Sequence, residues 1–144
     1  MDPTAVYLMR NIWAEANYKV GVSSIPYRRV WQVEESYGVG PLIVTTAWFP
    51  TRSAACRAEK LWHQYLADFR TDDHGGKEWF CLPQRFVDSF MEWASSSPDG
   101  VRLKLQAKAQ TLSRKEANQI SKSLIASIPT HGRREVSKAT RLRG

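Results

Sequence analysis

The segment from Leu42 to Arg70 constrains the fold more than any other part of the chain. Leu42–Phe49 is rich in β-branched and aromatic residues, which predicts a strand. Pro50–Ser53 ends that strand, and apolar residues then recur at helical spacing from Ala54 to Arg70, which predicts an amphipathic helix. A strong strand followed at once by a strong helix indicates a sheet covered by helices.

Weaker patterns on both sides complete the order β-β-α-β-α-β-α. Further strands are predicted at Ala5–Met9, Tyr18–Val22 and Glu78–Leu82, and further helices at Tyr27–Tyr37 and Pro83–Ala94. The fold class expected is α/β (α+β), with a small, mostly antiparallel central sheet flanked by helices.

The distribution of charge divides the chain in two. Residues 1–94 carry 10 Lys and Arg against 11 Asp and Glu, whereas residues 95–144 carry 11 against 3. The polar stretch Ser95–Gly100 marks the change and is the best linker in the sequence. We therefore predict one domain over residues 1–94 and a basic extension over residues 95–144. Such a basic segment favours nucleic-acid binding, and a solvated tail is the alternative.

The extension has a pattern of its own. Val101–Ala107 alternates like a strand with one basic face, and Ser113–Glu116 is a capping box that opens an amphipathic helix. After a turn, Glu135–Leu142 predicts a short helix, so the extension resembles part of a helix-turn-helix module. The basic residues predicted to contact DNA are Lys19, Arg28, Arg102, Lys104, Arg114, Lys115, Arg133, Arg134 and Lys138.

Composition excludes several other classes. No run approaches the roughly 20 apolar residues of a membrane span, and the first residues do not form a signal peptide, which predicts a soluble cytoplasmic protein. Cys56 and Cys81 are interpreted as reduced core thiols. Neither lies at a recognised zinc-ligand spacing.

Two short motifs lie on the first two predicted strands. Val6-Tyr7-Leu8 and Tyr18-Lys-Val-Gly21 resemble the half-motifs of the GIY-YIG nucleases. An arginine follows in the next helix, where Arg29 fits the family spacing better than Arg28. The family's metal-binding glutamate matches Glu59. Together with His63 and the run 78–80, these residues are similar to a divergent, phage-associated branch.

The resemblance implies a DNA endonuclease, of phage or homing type, that uses one Mg²⁺ or Mn²⁺ ion. Glu59 would hold the metal and Arg29 would pair with the phosphate. The hydroxyls of Tyr7 and Tyr18 would orient or deprotonate the attacking water, provided that the strand register places both on one sheet face. His63 would carry a proton or contact phosphate, or would be a boundary histidine bonded to a neighbouring loop.

Other interpretations of the same residues remain open. Either tyrosine alone is an ordinary strand residue, and Lys19 is expected on the face opposite Tyr18, either solvated or in contact with DNA. Val33 stands where many GIY-YIG relatives have a histidine. A DNA-binding protein that has lost activity is therefore the main alternative, and it would tolerate loss of Glu59. An RNA-binding protein that stacks bases on its tryptophans is a third reading.

Overall fold

The computed structural model describes residues 3–12, 14, 16–37, 41–71, 79–97 and 112–129. The strand predicted at 101–107 and the helix predicted at 135–142 lie outside these residues. The same holds for five of the expected DNA contacts, namely Arg102, Lys104, Arg133, Arg134 and Lys138.

In the part of the chain that the structure describes, four antiparallel strands form the centre of the domain. They are β1 (Thr4–Asn11), β2 (Asn17–Ser23), β3 (Pro41–Phe49) and β4 (Trp79–Cys81), in the spatial order β3-β1-β2-β4. With helices packed against this sheet, the predicted fold class is confirmed.

Four α-helices in the described ranges follow or separate the strands: α1 (Pro26–Tyr37), α2 (Arg52–Tyr65), α3 (Gln84–Ser95) and α4 (Arg114–Ala126). Thr51 caps α2, because its hydroxyl accepts a hydrogen bond of 3.2 Å from the Ala54 amide. The helix ends at Tyr65, earlier than predicted, and a 3-10 turn over Ala67–Phe69 follows it. The buried Leu66 leaves helical geometry there, which tightens the last turn.

The two faces of the sheet carry different side chains. Val6, Leu8 and Val20 belong to the main core, which also contains the buried faces of α2 and α3. On the opposite face, Tyr7 and Met9 form a smaller cluster against which Val30 of α1 and neighbouring residues pack. Side chains that alternate along β1 therefore reach separate environments.

Helix α4 packs on the same core as the rest of the domain. Leu124 and Ile128 join the main cluster, and the indole Nε1–H of Trp93 in α3 donates a hydrogen bond of 2.9 Å to the Leu124 carbonyl. The described part of the basic extension thus contributes to the core as well as to the charge.

Both cysteines differ from their prediction. Cys56 and Cys81 are free but exposed, so the interpretation as core thiols was wrong. Cys56 lies outside the buried stripe of α2, on a side of the helix that lines a surface cleft. Within the described ranges, no helix is long and apolar enough to cross a membrane.

Candidate active site

The register of β1 and β2 separates the two motif tyrosines. Tyr7 pairs with Gly21, and Tyr18 pairs with Arg10, three residues further along β1. Because an odd separation along a strand reverses the face, Tyr18 lies on the face opposite Tyr7. Tyr18 packs in the main core, so the expectation that both hydroxyls share one face was wrong.

Lys19 takes the place predicted for Tyr18. Its cross-strand partner is Met9, two residues from Tyr7, so Lys19 and Tyr7 share a sheet face. Lys19 lies on the face opposite Tyr18, as predicted, but it is only 3% exposed, so the alternative of a solvated lysine was wrong. Burial, together with the neighbouring charge of Arg29, lowers the pKa of Lys19 from 10.5 to about 8, while Glu59 acts in the opposite direction.

The glycine of the second motif makes room for the tyrosine of the first. A Cβ atom on Gly21 would overlap the Tyr7 hydroxyl and would lie 2.6 Å from Cζ of the same ring. The Tyr7 hydroxyl is buried and makes no hydrogen bond in the structure. Burial raises the pKa of Tyr7, and the Arg29 guanidinium opposes the rise from a position outside ideal hydrogen-bonding geometry.

Glu59 lies on α2, half-buried, at the edge of the apolar stripe. Burial raises the pKa of its carboxyl group, and the charges of Lys19, Arg52 and Arg29 oppose the rise. The Glu59 carboxylate therefore has cationic neighbours on β2, α1 and the start of α2. Of these, Lys19 lowers its pKa most.

Arg29 is held in position by its own helix. Its guanidinium Nη1 donates a hydrogen bond of 2.8 Å to Gln32 Oε1, one turn further along α1. Arg28 is exposed and does not line the same cleft. The structure therefore brings Arg29, and not Arg28, to the neighbourhood of Tyr7 and Glu59.

The side chains of Tyr7, Arg29 and Glu59 meet in one cleft of about 460 Å³. Its lining consists of Tyr7, Val22, Ser23, Ser24, Arg29, Gln32, Arg52, Cys56 and Glu59. The sequence analysis missed Arg52 and Gln32, although helical spacing places each on the same helix face as a predicted site residue. Arg52 precedes Glu59 by two turns, and Gln32 follows Arg29 by one.

His63 joins α2 to the part of β2 that extends beyond β4. Strand β4 pairs only with Asn17, Tyr18 and Lys19, so within the described residues β2 continues past the end of β4. There, His63 Nε2 lies 2.9 Å from the Val20 carbonyl and must carry the proton of this hydrogen bond. Burial lowers the pKa of His63. A neutral ring that donates through Nε2 thus holds the helix against the strand.

The residues present fit a magnesium ion held by one carboxylate. Among the described residues, no group of three or more His, Cys, Asp or Glu side chains surrounds a common point. Mg²⁺ does not require such a cage, since it keeps several waters and binds through one or two carboxylates plus substrate phosphates. Glu59 offers the carboxylate, and the buried Tyr7 hydroxyl beside it lacks a protein partner.

The T5orf172 domain matches residues 4–95, a range that holds the whole sheet, the cleft and α1 to α3. The chain belongs to the T5orf172 domain family. T5orf172 is a GIY-YIG-related domain from phage T5, which implies a GIY-YIG-like nuclease fold. No curated protein and no solved structure shows significant similarity to the chain. Helix α4, which carries Arg114 and Lys115, lies outside the range that matches the T5orf172 domain.

Proposed function

We propose that this T5orf172 domain is a metal-dependent endonuclease that hydrolyses phosphodiester bonds in DNA. The observation that carries the proposal is the convergence of Tyr7, Arg29 and Glu59 on one cleft from β1, α1 and α2. Phosphodiester hydrolysis requires an oriented water, positive charge on the phosphoryl oxygens and help for the leaving oxygen.

Glu59 would hold Mg²⁺ or Mn²⁺, which supplies Lewis-acid stabilisation of the phosphate when bound. Arg29, already fixed by Gln32, presents a planar guanidinium that can pair with two phosphate oxygens. Lys19 adds a second positive charge close to Glu59.

Tyr7 has the geometry to orient the attacking water. Tyr7 lines the cleft, and its buried hydroxyl makes no hydrogen bond of good geometry to the protein, which leaves it available to a water molecule bound beside it. Since burial raises the pKa of Tyr7, the phenol remains protonated at neutral pH and acts as a hydrogen-bonding group rather than as a phenolate.

The test is cleavage of supercoiled plasmid by the full chain and by Glu59→Gln, with Mg²⁺ and with Mn²⁺. The substitution preserves shape but removes the charge that the metal needs, so cleavage should fall by several orders of magnitude. Affinity for DNA, measured in EDTA, should be unchanged or higher because repulsion of phosphate is lost.

Glu92→Gln is the matched control, because Glu92 is an exposed carboxylate on α3 that does not line the cleft. Cleavage at the parent rate by a folded Glu59→Gln protein would falsify this mechanism. A parent protein that binds DNA but cuts neither DNA nor RNA with either metal would instead support a non-cleaving DNA-binding protein.

A further inference from the structure

A second groove begins where the first cleft ends. It has a volume of about 510 Å³ and is lined by Cys56, Glu59, Lys60, His63, Gln64, Ala67 and Arg70. The two cavities share Cys56 and Glu59, so they meet at the carboxylate. Glu59 therefore lies between two adjoining spaces and not at the closed end of one.

The combined trough follows one side of α2. Arg52, Cys56, Glu59 and His63 line it at intervals of three or four residues, the spacing of a single helix face. The helix from Arg52 to Tyr65 spans about 20 Å, several times the rise of about 3.4 Å per phosphate of one strand along the B-DNA axis. This length exceeds what one phosphate group needs and fits a stretch of polynucleotide backbone.

Positive side chains flank the carboxylate on both sides. Arg29 and Arg52 line the first cleft, whereas Lys60 and Arg70 line the second groove. Of the described residues that line the two spaces, Glu59 is the sole acidic one. A trough with this charge pattern attracts a polyanion along its length and leaves one position for a metal.

Arg70 is held in place before any ligand binds. Its backbone forms an isolated antiparallel bridge with Phe80 of β4, and its guanidinium carbon lies 5.7 Å from the centre of the Phe80 ring. A guanidinium fixed in this way loses little conformational freedom when it pairs with a phosphate.

We propose that Lys60 and Arg70 bind the DNA backbone beyond the phosphate that is cut, so that the strand passes Glu59 in both directions. This inference rests on the proposed function, since it takes the scissile phosphate to lie at Glu59. It adds the second half of the substrate path and explains cleavage within a chain, because the trough has room for backbone on each side of the carboxylate.

The test measures binding of the full chain to a short double-stranded DNA in EDTA, across a series of salt concentrations. Each lost phosphate contact should reduce the slope of log affinity against log salt by about 0.9. Lys60→Gln combined with Arg70→Gln should therefore reduce the slope by about 1.8, and Lys60→Gln alone by about half as much. Lys60→Gln is included because Lys60 is exposed, so that its loss is tolerated by the fold.

Arg85→Gln is the matched control: Arg85 is an exposed arginine that lies against a phenylalanine, as Arg70 does, but it lines neither space. If the parent binds DNA and both Lys60→Gln and the double variant keep its salt slope, the second groove is not a backbone site, while the proposed function stands. If the parent binds no DNA, the proposed function fails and this inference fails with it. Binding of RNA but not DNA would overturn the choice of DNA as occupant.

Discussion

At the scale of single residues, the second motif places its lysine on the sheet face where the first motif places its tyrosine. Tyr7 and Lys19 share one face of the sheet, while Tyr18 is part of the main core. The sequence alone favoured the two tyrosines because they stand at similar places in similar motifs. Only the pairing of Tyr7 with Gly21 reveals which residue of β2 faces the cleft side.

We therefore expect Lys19→Met to reduce cleavage strongly and Tyr18→Phe to leave it near the parent level. Lowering the pKa of Lys19 from 10.5 to about 8 corresponds to ~3 kcal/mol spent on keeping a buried amine charged. The methionine variant should accordingly melt no lower than the parent, because it removes that cost. Plasmid cleavage and thermal melting are measured for both variants and for the parent. Loss of cleavage in Tyr18→Phe, with full activity in Lys19→Met, would restore the tyrosine assignment.

At the scale of elements, the sequence predicted which segments are helices and strands, because each has one buried face and a clear period. It did not predict the register between β1 and β2. Register depends on the geometry of the turn that joins them, and Ala16 adopts a left-handed conformation there, with φ of 61°. Alanine rarely adopts positive φ, whereas glycine and asparagine do so more readily. Because the residue at this position is an alanine, the sequence carries no signal for the turn. Alternation along β2 predicted that Tyr18 and Lys19 lie on opposite faces, but it could not predict which of the two shares the face of Tyr7.

Helix α4 lies beyond the predicted domain boundary but packs on the main core, so we expect Leu124→Ala to destabilise the whole domain. Leu124 is 3% exposed, and loss of such a side chain costs about 2–5 kcal/mol. Lys122→Ala, at an exposed position on the same helix, should change stability by less than about 0.5 kcal/mol. Urea unfolding, followed by tryptophan fluorescence, compares the two. A parent-like midpoint for Leu124→Ala would show that α4 contributes nothing to the core.

At the scale of the whole molecule, the basic extension combines two roles that a deletion would confuse. Removing it takes away the excess of Lys and Arg but also strips α4 from Trp93 and the main core. Weaker DNA binding after such a deletion would follow from either loss. Charge substitution separates the two, because Arg114 and Lys115 are exposed and do not belong to the buried face of α4.

We expect replacement of the seven basic residues predicted to contact DNA in the extension by glutamine to flatten the salt dependence of binding. These are Arg102, Lys104, Arg114, Lys115, Arg133, Arg134 and Lys138. Each that contacts a phosphate contributes about 0.9 to the slope of log affinity against log salt. The melting temperature should stay close to that of the parent, because the apolar face of α4 is untouched. An unchanged slope in a folded variant would assign the extension to packing and solubility instead.

Among the described residues, β2 extends past the end of β4, and this part of the strand has a consequence for association between chains. A strand edge with unpaired amides and carbonyls is a template for pairing with another molecule, and proteins usually cover or charge such edges. Here His63 occupies the Val20 carbonyl, and Lys19 and Glu59 place charges beside the same stretch of strand. Helix α2 therefore covers the described part of β2 beyond β4 with a bonded carbonyl and with charge, and such an edge disfavours pairing with the strand of a second molecule.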